Sequence, residues 1–192
     1  MRFNKLVVGV VMAAAAAASN AATFNFSGTI STQKDIIVVP FSLTQDATDV
    51  RVWTDSYKDG QNFDPITAVW RADGTRIGQN DDNNSIAPGQ TRYDSGLVFS
   101  TLAKGDYLFT IAAFNNFANG TQLSQGFNFD NQAPVALANW EQPASHRGMG
   151  ANFSVHLSGV DSATSPVPEP GTYAMLLGGL GLLGFMARRR QG

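Results

Sequence analysis

The stretch ITAVWRADGTRIGQ, residues 66–79, carries the clearest structural pattern in this sequence. Two runs with β-branched and aromatic residues flank Ala72-Asp73-Gly74, and an Asp-Gly pair between such runs is typical of a β-hairpin turn. Similar short runs recur on both sides, and residues 22–160 contain no segment with convincing helical periodicity. The hairpin is therefore predicted to be one unit of an all-β domain.

Counting both arms of the hairpin, eight segments have apolar residues that alternate or cluster between turn residues. They lie at residues 24–30, 35–43, 49–54, 66–71, 75–79, 97–100, 107–114 and 152–157. Short strands without intervening helices indicate a single antiparallel β-sandwich, which we expect to be jelly-roll-like. Residues 24–27 and 152–155 resemble each other, which suggests that the first and last strands pair. Residues 115–150 are expected to form a long loop with one strand near 127–129.

Composition and charge exclude several classes of function. The chain has no cysteine, which rules out disulfides, a thiol nucleophile and cysteine-bound metals. Residues 22–160 contain 8 Lys and Arg residues and 13 Asp and Glu residues, a net charge of about −5. Because nucleic-acid binding needs a basic face, this acidic domain is not expected to bind nucleic acid.

The first 21 residues have the organisation of a secretory signal peptide. Arg2 and Lys5 provide the positive start, and an unbroken apolar run follows at residues 6–18. Small residues at 19–21 predict cleavage after Ala21. The run of 13 apolar residues is short for a bilayer span, which favours a cleaved signal helix over a membrane anchor or a buried helix.

The C-terminus has three elements in a fixed order. A linker at residues 161–167 leads into a proline-rich motif, an apolar span follows at residues 171–187, and basic residues close the chain. These 17 residues, apolar or small apart from Thr172 and Tyr173, make a helix of about 25 Å, the short end of what crosses a bilayer. The named residues of the pattern are Val167, Pro168, Glu169, Pro170, Arg188, Arg189 and Arg190. Because prolines stop a helix and arginines favour the cytoplasmic side, we expect the body of the protein outside the inner membrane.

This pattern, at residues 168–190, resembles the PEP-CTERM sorting signal of Gram-negative bacteria. The resemblance implies that the membrane protease exosortase processes the chain near Pro-Glu-Pro, after transient anchoring in the inner membrane. Release to the cell surface or to an extracellular matrix of exopolysaccharide would follow. The motif makes the chain a substrate of that protease and gives it no catalysis of its own. The alternative is a simple C-terminal transmembrane anchor.

A second resemblance covers about 60 residues in the middle of the domain. The residues that carry it are Phe63-Asp64-Pro65-Ile66, Trp70 to Thr75, Ile77, Asn80-Asp81-Asp82, Leu102, Gly105 and Tyr107. They are similar to bacterial pre-peptidase C-terminal domains, small β-sandwiches appended to secreted proteases. The resemblance implies a non-enzymatic binding or accessory module, and some members of that family depend on calcium. Residues 115–150 depart from the compact form of the family.

Acidic and amide side chains around the hairpin form the sharpest candidate site. Asp64 begins its first arm and the second arm ends at Asn80, so pairing of the two arms would bring Asp64 near the acids that follow. Calcium takes six to eight oxygen ligands from carboxylates, amides, carbonyls and water. A calcium site is therefore predicted from Asp64, Asn80, Asp81, Asp82 and Asp94. The alternative is that these residues only cap turns.

Signals for catalysis are weak, and those for binding are stronger. His146 and His156 lie in no nucleophile or zinc motif, and His156 is expected to point outward from its strand. Exposed aromatic rings stack on sugars, and Trp140 is the predicted ligand-binding residue, whereas Trp53 and Trp70 are expected in the core. The sequence thus predicts an exported, non-catalytic binding or structural module associated with exopolysaccharide in a biofilm. The alternatives are a secreted hydrolase of carbohydrate or peptide and a self-assembling coat subunit.

Overall fold

A computed structural model of the chain describes residues 22–141 and 148–168. The strands within these ranges are β1 (Phe24–Thr29), β2 (Ile36–Leu43), β3 (Ala47–Thr54), β4 (Pro65–Arg71), β5 (Arg76–Asn80), β6 (Gly96–Leu102), β7 (Gly105–Ala113), β8 (Asn152–Ser158), β9 (Ser162–Ala163) and β10 (Val167–Pro168). Short 3-10 turns lie at Lys58–Gly60, Leu123–Gln125 and Leu137–Asn139. Each of the eight segments predicted as a strand forms one, which confirms the all-β prediction.

The strands form two antiparallel sheets. One has the order β1-β8-β3-β6, and the other has the order β10-β2-β7-β4-β5 with β9 also paired to β2. Apart from β4 and β5, which form the predicted hairpin, successive strands from β1 to β8 alternate between the two sheets. Eight strands divided in this way between two sheets agree with the expected jelly-roll-like sandwich.

The core lies between the inner faces of the two sheets. Alternate residues along each strand point inward, so a strand with apolar residues at every second position buries one whole face. Among the buried core residues of the four-stranded sheet are Val50, Val52, Val155 and Leu157, and among those of the other sheet are Val39, Phe41, Phe109 and Ile111. Full burial of each such side chain contributes about 1.5–3 kcal/mol to the free energy of unfolding.

The first strand pairs with β8, as the similarity of their sequences predicts. The antiparallel register places Phe24 opposite Leu157 and Thr29 opposite Asn152. On the outer face of the sheet, Asn25 lies beside His156. This pairing makes β1 one edge of the four-stranded sheet and brings the first strand of the domain beside β8.

The prediction of a strand near residues 127–129 is wrong. The structure has turns there, with one isolated bridge between Ala118 and Phe127. The backbone amide of Phe127 donates to Asp130 Oδ2 (2.8 Å) and that of Phe129 donates to Asn116 Oδ1 (2.8 Å). Both phenylalanines are nevertheless buried, because the loop folds back onto the sandwich. The two phenylalanines alternate with polar residues because both are buried in the folded loop, and not because they belong to a paired strand.

Residues 161–168 run along the edge of a sheet where the sequence suggests a linker. Residues of β9 pair with Phe41 and Ser42, and those of β10 pair with Ile37 and Val38 of the same strand. Asp161 Oδ2 accepts hydrogen bonds from the backbone and the hydroxyl of Thr44, both at 2.6 Å. The chain that leaves β8 is therefore held against β2.

The predicted terminal helices fall outside the described residues. These are the signal segment with its cleavage site at Ala21 and the apolar span at residues 171–187. Within residues 22–141 and 148–168, no helix is long and apolar enough to cross a membrane. From Glu169 onward, including Pro170, Arg188, Arg189 and Arg190, the sorting pattern also lies outside the described part.

We expect Leu157→Ala to lower the free energy of unfolding by about 2–5 kcal/mol, because it opens a cavity in the middle of the core. The matched control is Val98→Ala on β6, where the side chain is 49% exposed and the expected loss stays within about 0.5 kcal/mol. Chemical denaturation of both variants measures the difference. Equal losses in the two variants would contradict the position of the core.

Candidate functional site

Three carboxylates meet at the open end of the β4–β5 hairpin. Asp64 directly precedes β4, and Asp81 and Asp82 directly follow β5. Because Thr67 pairs with Asn80, the antiparallel register places the residues before β4 beside those after β5. One carboxylate oxygen of each acid lies within 4.8 Å of the other two. We call Asp64, Asp81 and Asp82 the acidic cluster.

Burial sets Asp64 apart from most surface acids. Its residue is only 2% exposed, whereas Asp81 is half-buried and Asp82 is exposed. Oδ1 of Asp64 and Oδ1 of Asp81 are buried, and neither has a hydrogen-bond partner among the described residues. A buried ionised carboxylate costs considerable free energy unless a donor or a cation compensates it. The acidic cluster is therefore suited to a cation or to a bound proton.

The pKa values of the cluster show the same need for compensation. Burial, with the nearby charges of Asp81, Asp82 and Asp94, raises the pKa of Asp64 to about 8. Burial and the charge of Asp82 raise the pKa of Asp81 to about 6. Burial also raises the pKa of Asp82, although Arg92 acts in the opposite direction. A cation at the cluster would compete with protons for these oxygens.

The chemistry of the ligand atoms determines which class of metal ion suits the cluster. All three ligand groups are carboxylates, which suit the hard cations Ca²⁺ and Mg²⁺ rather than zinc or copper. Ca²⁺ tolerates irregular shells of six to eight oxygens, so carbonyls and water would complete a shell begun by three acids. Asn80, also a predicted ligand, ends β5 directly before Asp81, and its amide nitrogen donates to the carbonyl of Gly96 at 3.0 Å.

Asp94, also a predicted ligand, is not one of the three acids of the acidic cluster. Its Oδ1 accepts hydrogen bonds from Thr54 Oγ1 and the Tyr57 amide, both at 3.1 Å. Its Oδ2 accepts from the amide of Thr91 at 2.7 Å and from the Thr91 hydroxyl at 3.1 Å. Four donors thus satisfy this fully buried carboxylate, and its role is to fix the loops that follow β3 and precede β6.

The three tryptophans differ in their surroundings. Trp70 is fully buried, as expected. Trp140, the predicted sugar-binding residue, packs against the core with its ring edge-on to Phe129 at 5.2 Å, and its Nε1 donates to the Phe114 carbonyl at 3.4 Å. Trp53, expected in the core, is half-exposed on the outer face of its sheet, since the buried residues Val52 and Thr54 flank it.

His156 is the centre of a second polar group on that outer face. Its ring stacks on Trp53 with centroids 5.1 Å apart. Nε2 lies 2.9 Å from Asp55 Oδ1 and 3.3 Å from Ser154 Oγ, and Nδ1 lies 2.6 Å from Asn25 Oδ1. In a serine-hydrolase triad the serine and the acid contact opposite ring nitrogens, whereas here both contact Nε2. His146 lies outside the described residues.

Comparison with known proteins identifies one segment of the chain. Residues 166–190 match the model of the PEP-CTERM protein-sorting motif, which confirms the predicted sorting signal. The motif indicates an exported extracellular protein that exosortase sorts. No curated protein matches the chain. The sandwich agrees with the fold implied by pre-peptidase C-terminal domains, but a relationship to that family stays a prediction.

In a calcium-free buffer with chelator, we expect the melting temperature to fall as the pH rises from about 5 to 8. Folded Asp64 keeps its proton up to a pKa of about 8, whereas the unfolded chain releases it near pH 4, so folding is favoured at low pH and this advantage is lost as the pH rises. Asp64→Asn should flatten the slope, because the amide does not titrate.

Thermal melts across this pH range measure both slopes. The matched control is Asp59→Asn, which removes an exposed carboxylate and should keep the slope of the parent protein. If Asp64→Asn keeps the full slope as well, the assignment of the titrating group to Asp64 is wrong.

Proposed function

We propose that this protein is a non-catalytic binding or structural module of the cell surface or extracellular matrix, and that Ca²⁺ bound at the acidic cluster stiffens it. The PEP-CTERM motif supports the location, with transient anchoring in the inner membrane before processing. The proposal of a bound Ca²⁺ rests on one observation. The Asp64 carboxylate is buried, one of its oxygens lacks a donor among the described residues, and it lies close to two further acids. Exopolysaccharide is the proposed matrix partner.

The position of the cluster explains how a cation would stiffen the fold. Asp81 and Asp82 begin the connection from β5 in one sheet to β6 in the other, and Asp64 ends the connection from β3 to β4. A cation bound to all three would therefore tie both crossings between the sheets at one point. Extracellular modules commonly bind Ca²⁺ with dissociation constants of about 10⁻⁴ to 10⁻³ M, which suits a site with few protein ligands.

The geometry favours a cation over acid–base catalysis at the same acids. A raised pKa is typical of a general acid, but a general acid must come within hydrogen-bond reach of the substrate. Asp64 is almost completely buried, so a polymer chain has no direct access to it. The shared contact of Asp55 and Ser154 with one nitrogen of His156 also differs from a nucleophile–base–acid relay.

Addition of 10 mM Ca²⁺ to the chelator-treated full chain at pH 7.5 should raise its melting temperature by about 3–10 °C, the effect of a Ca²⁺ concentration about 10- to 100-fold above the dissociation constant. Asp64→Asn should remove most of this shift, because it removes the buried charge. Asp59→Asn should keep the shift. A parent protein that melts at the same temperature with Ca²⁺ and with chelator would end the calcium proposal.

The module should bind exopolysaccharide from its own matrix without cutting it. Incubation of the full chain with the purified polymer, followed by reducing-end analysis and sedimentation, measures turnover and binding together. Co-sedimentation with no new reducing ends is the expected result. New reducing ends that disappear in a His156→Ala variant would instead support the secreted hydrolase.

A further inference from the structure

A cleft of about 360 Å³ lies where β1 and β8 meet the loop between β3 and β4. Its volume is within the range of small-ligand sites. The polar groups on its walls include four hydroxyls, two side-chain amides and one ammonium. The hydroxyls belong to Ser27, Thr29, Ser56 and Ser154, and the ammonium belongs to Lys58. The cleft is separate from the acidic cluster and contains none of its three carboxylates.

One wall group lacks a hydrogen-bond partner. Ser56 is only 3% exposed, and its buried Oγ has no partner among the described residues. A buried hydroxyl without a partner costs about 1–3 kcal/mol, and a ligand hydroxyl or carboxylate would recover this free energy. Buried polar groups in folded proteins are almost all satisfied by protein or by ordered water, so the Ser56 hydroxyl marks a point in the cleft wall where a polar group would be stabilised.

The loop that carries Ser56 is fixed in place. Asn62 Nδ2 donates to the Ser56 carbonyl at 2.8 Å, and Asn62 Oδ1 accepts from the backbone and side-chain amides of Asn152 at 3.2 and 3.1 Å. Lys58 and Asp59 have φ angles of 51° and 53°, in the left-handed region that non-glycine residues seldom adopt. Such strain concentrates at binding sites, where the surrounding structure holds it. Lys58 is thus kept at the rim of the cleft.

The wall chemistry defines the ligand. The hydroxyls of the wall can each donate and accept a hydrogen bond, which matches the neighbouring hydroxyls of a sugar ring. Lys58 is the one charged residue among the nine that line the cleft, and an ammonium pairs with a carboxylate. We propose that the cleft binds a uronic-acid residue, a sugar ring with a carboxylate, of an acidic polysaccharide. The uronic-acid site specifies the chemistry of the matrix partner and rests on the proposed binding function. Binding at this site does not depend on Ca²⁺.

The neighbouring surface suits a longer chain of sugars. Ser27 and Ser154 of the cleft lie opposite each other on β1 and β8, two residues from the pair Asn25 and His156. His156 in turn lies opposite Trp53 on β3, so a polar row leads from the cleft to a half-exposed indole. Indole rings bury the apolar faces of sugars, which would add a contact beyond the cleft.

The test uses the full chain in a detergent without a sugar headgroup, titrated by calorimetry with trigalacturonic acid and with neutral galactotriose. We expect trigalacturonic acid to bind at least tenfold more tightly than the neutral trimer. Lys58→Asn should remove this preference, because it removes the charge while asparagine tolerates a positive φ. Ser56→Ala should weaken binding of the acid several-fold. The matched control, Lys104→Gln in the exposed β6–β7 turn, should bind as the parent does.

The outcomes separate this inference from the calcium site. No binding of trigalacturonic acid, equal binding of both trimers, or an unchanged preference in Lys58→Asn would each overturn the uronic-acid site. Retention of the parent melting temperature by Lys58→Asn shows that a loss of binding is not a loss of folding. Asp64→Asn should lose the Ca²⁺ shift and keep trigalacturonate binding, so failure of one proposal leaves the other measurable.

Discussion

Alternate side chains of the strands are buried between the two sheets, and this burial sets the direction of every other side chain in the sandwich. Because Val155 and Leu157 point into the core, Ser154 and His156 must point out, and the same alternation exposes Asn25 and Ser27 on the neighbouring strand. The outer face of the four-stranded sheet along β1 and β8 is polar for that reason. The chain reversals at the strand ends then supply the acids and the loop that form the two candidate sites.

The ten residues between β3 and β4 link those sites. Ser56, Lys58 and Asn62 line the cleft, and Asp64 at the end of the same segment lies in the acidic cluster. Asp94 holds the beginning of this loop through the Tyr57 amide, and Asn62 ties its middle to β8. A single well-anchored loop thus positions the Ser56 hydroxyl near one end and the Asp64 carboxylate at the other. Both groups are buried, and Ser56 Oγ and Asp64 Oδ1 have no hydrogen-bond partner among the described residues.

The sequence predicted the acidic cluster in part because hairpin geometry is local. Asp64 and Asp81 flank two arms joined by a tight turn, so the register follows from residues 66–79 alone. Asp94 lies apart from the three clustered acids, and the sequence does not show this, because two of its four donors come from Thr54 and Tyr57, about 40 residues earlier in the chain. Trp53 was expected in the core but lies on the outer face of its sheet. The sequence of a strand does not show which of its two faces another sheet covers.

The strands, the turn of the hairpin and the sorting motif follow from the amino-acid sequence, because alternation, turn residues and a short linear signal each depend on neighbours in the chain. Which carboxylate is buried without a donor among the described residues, and where the cleft lies, depends instead on how the sheets pack. Ser27, Ser56 and Ser154 belong to three distant segments, and they share one cleft because β8 pairs with β1 and with β3. Burial and hydrogen-bond satisfaction are properties of such long-range contacts, so they emerge only when the sheets are packed.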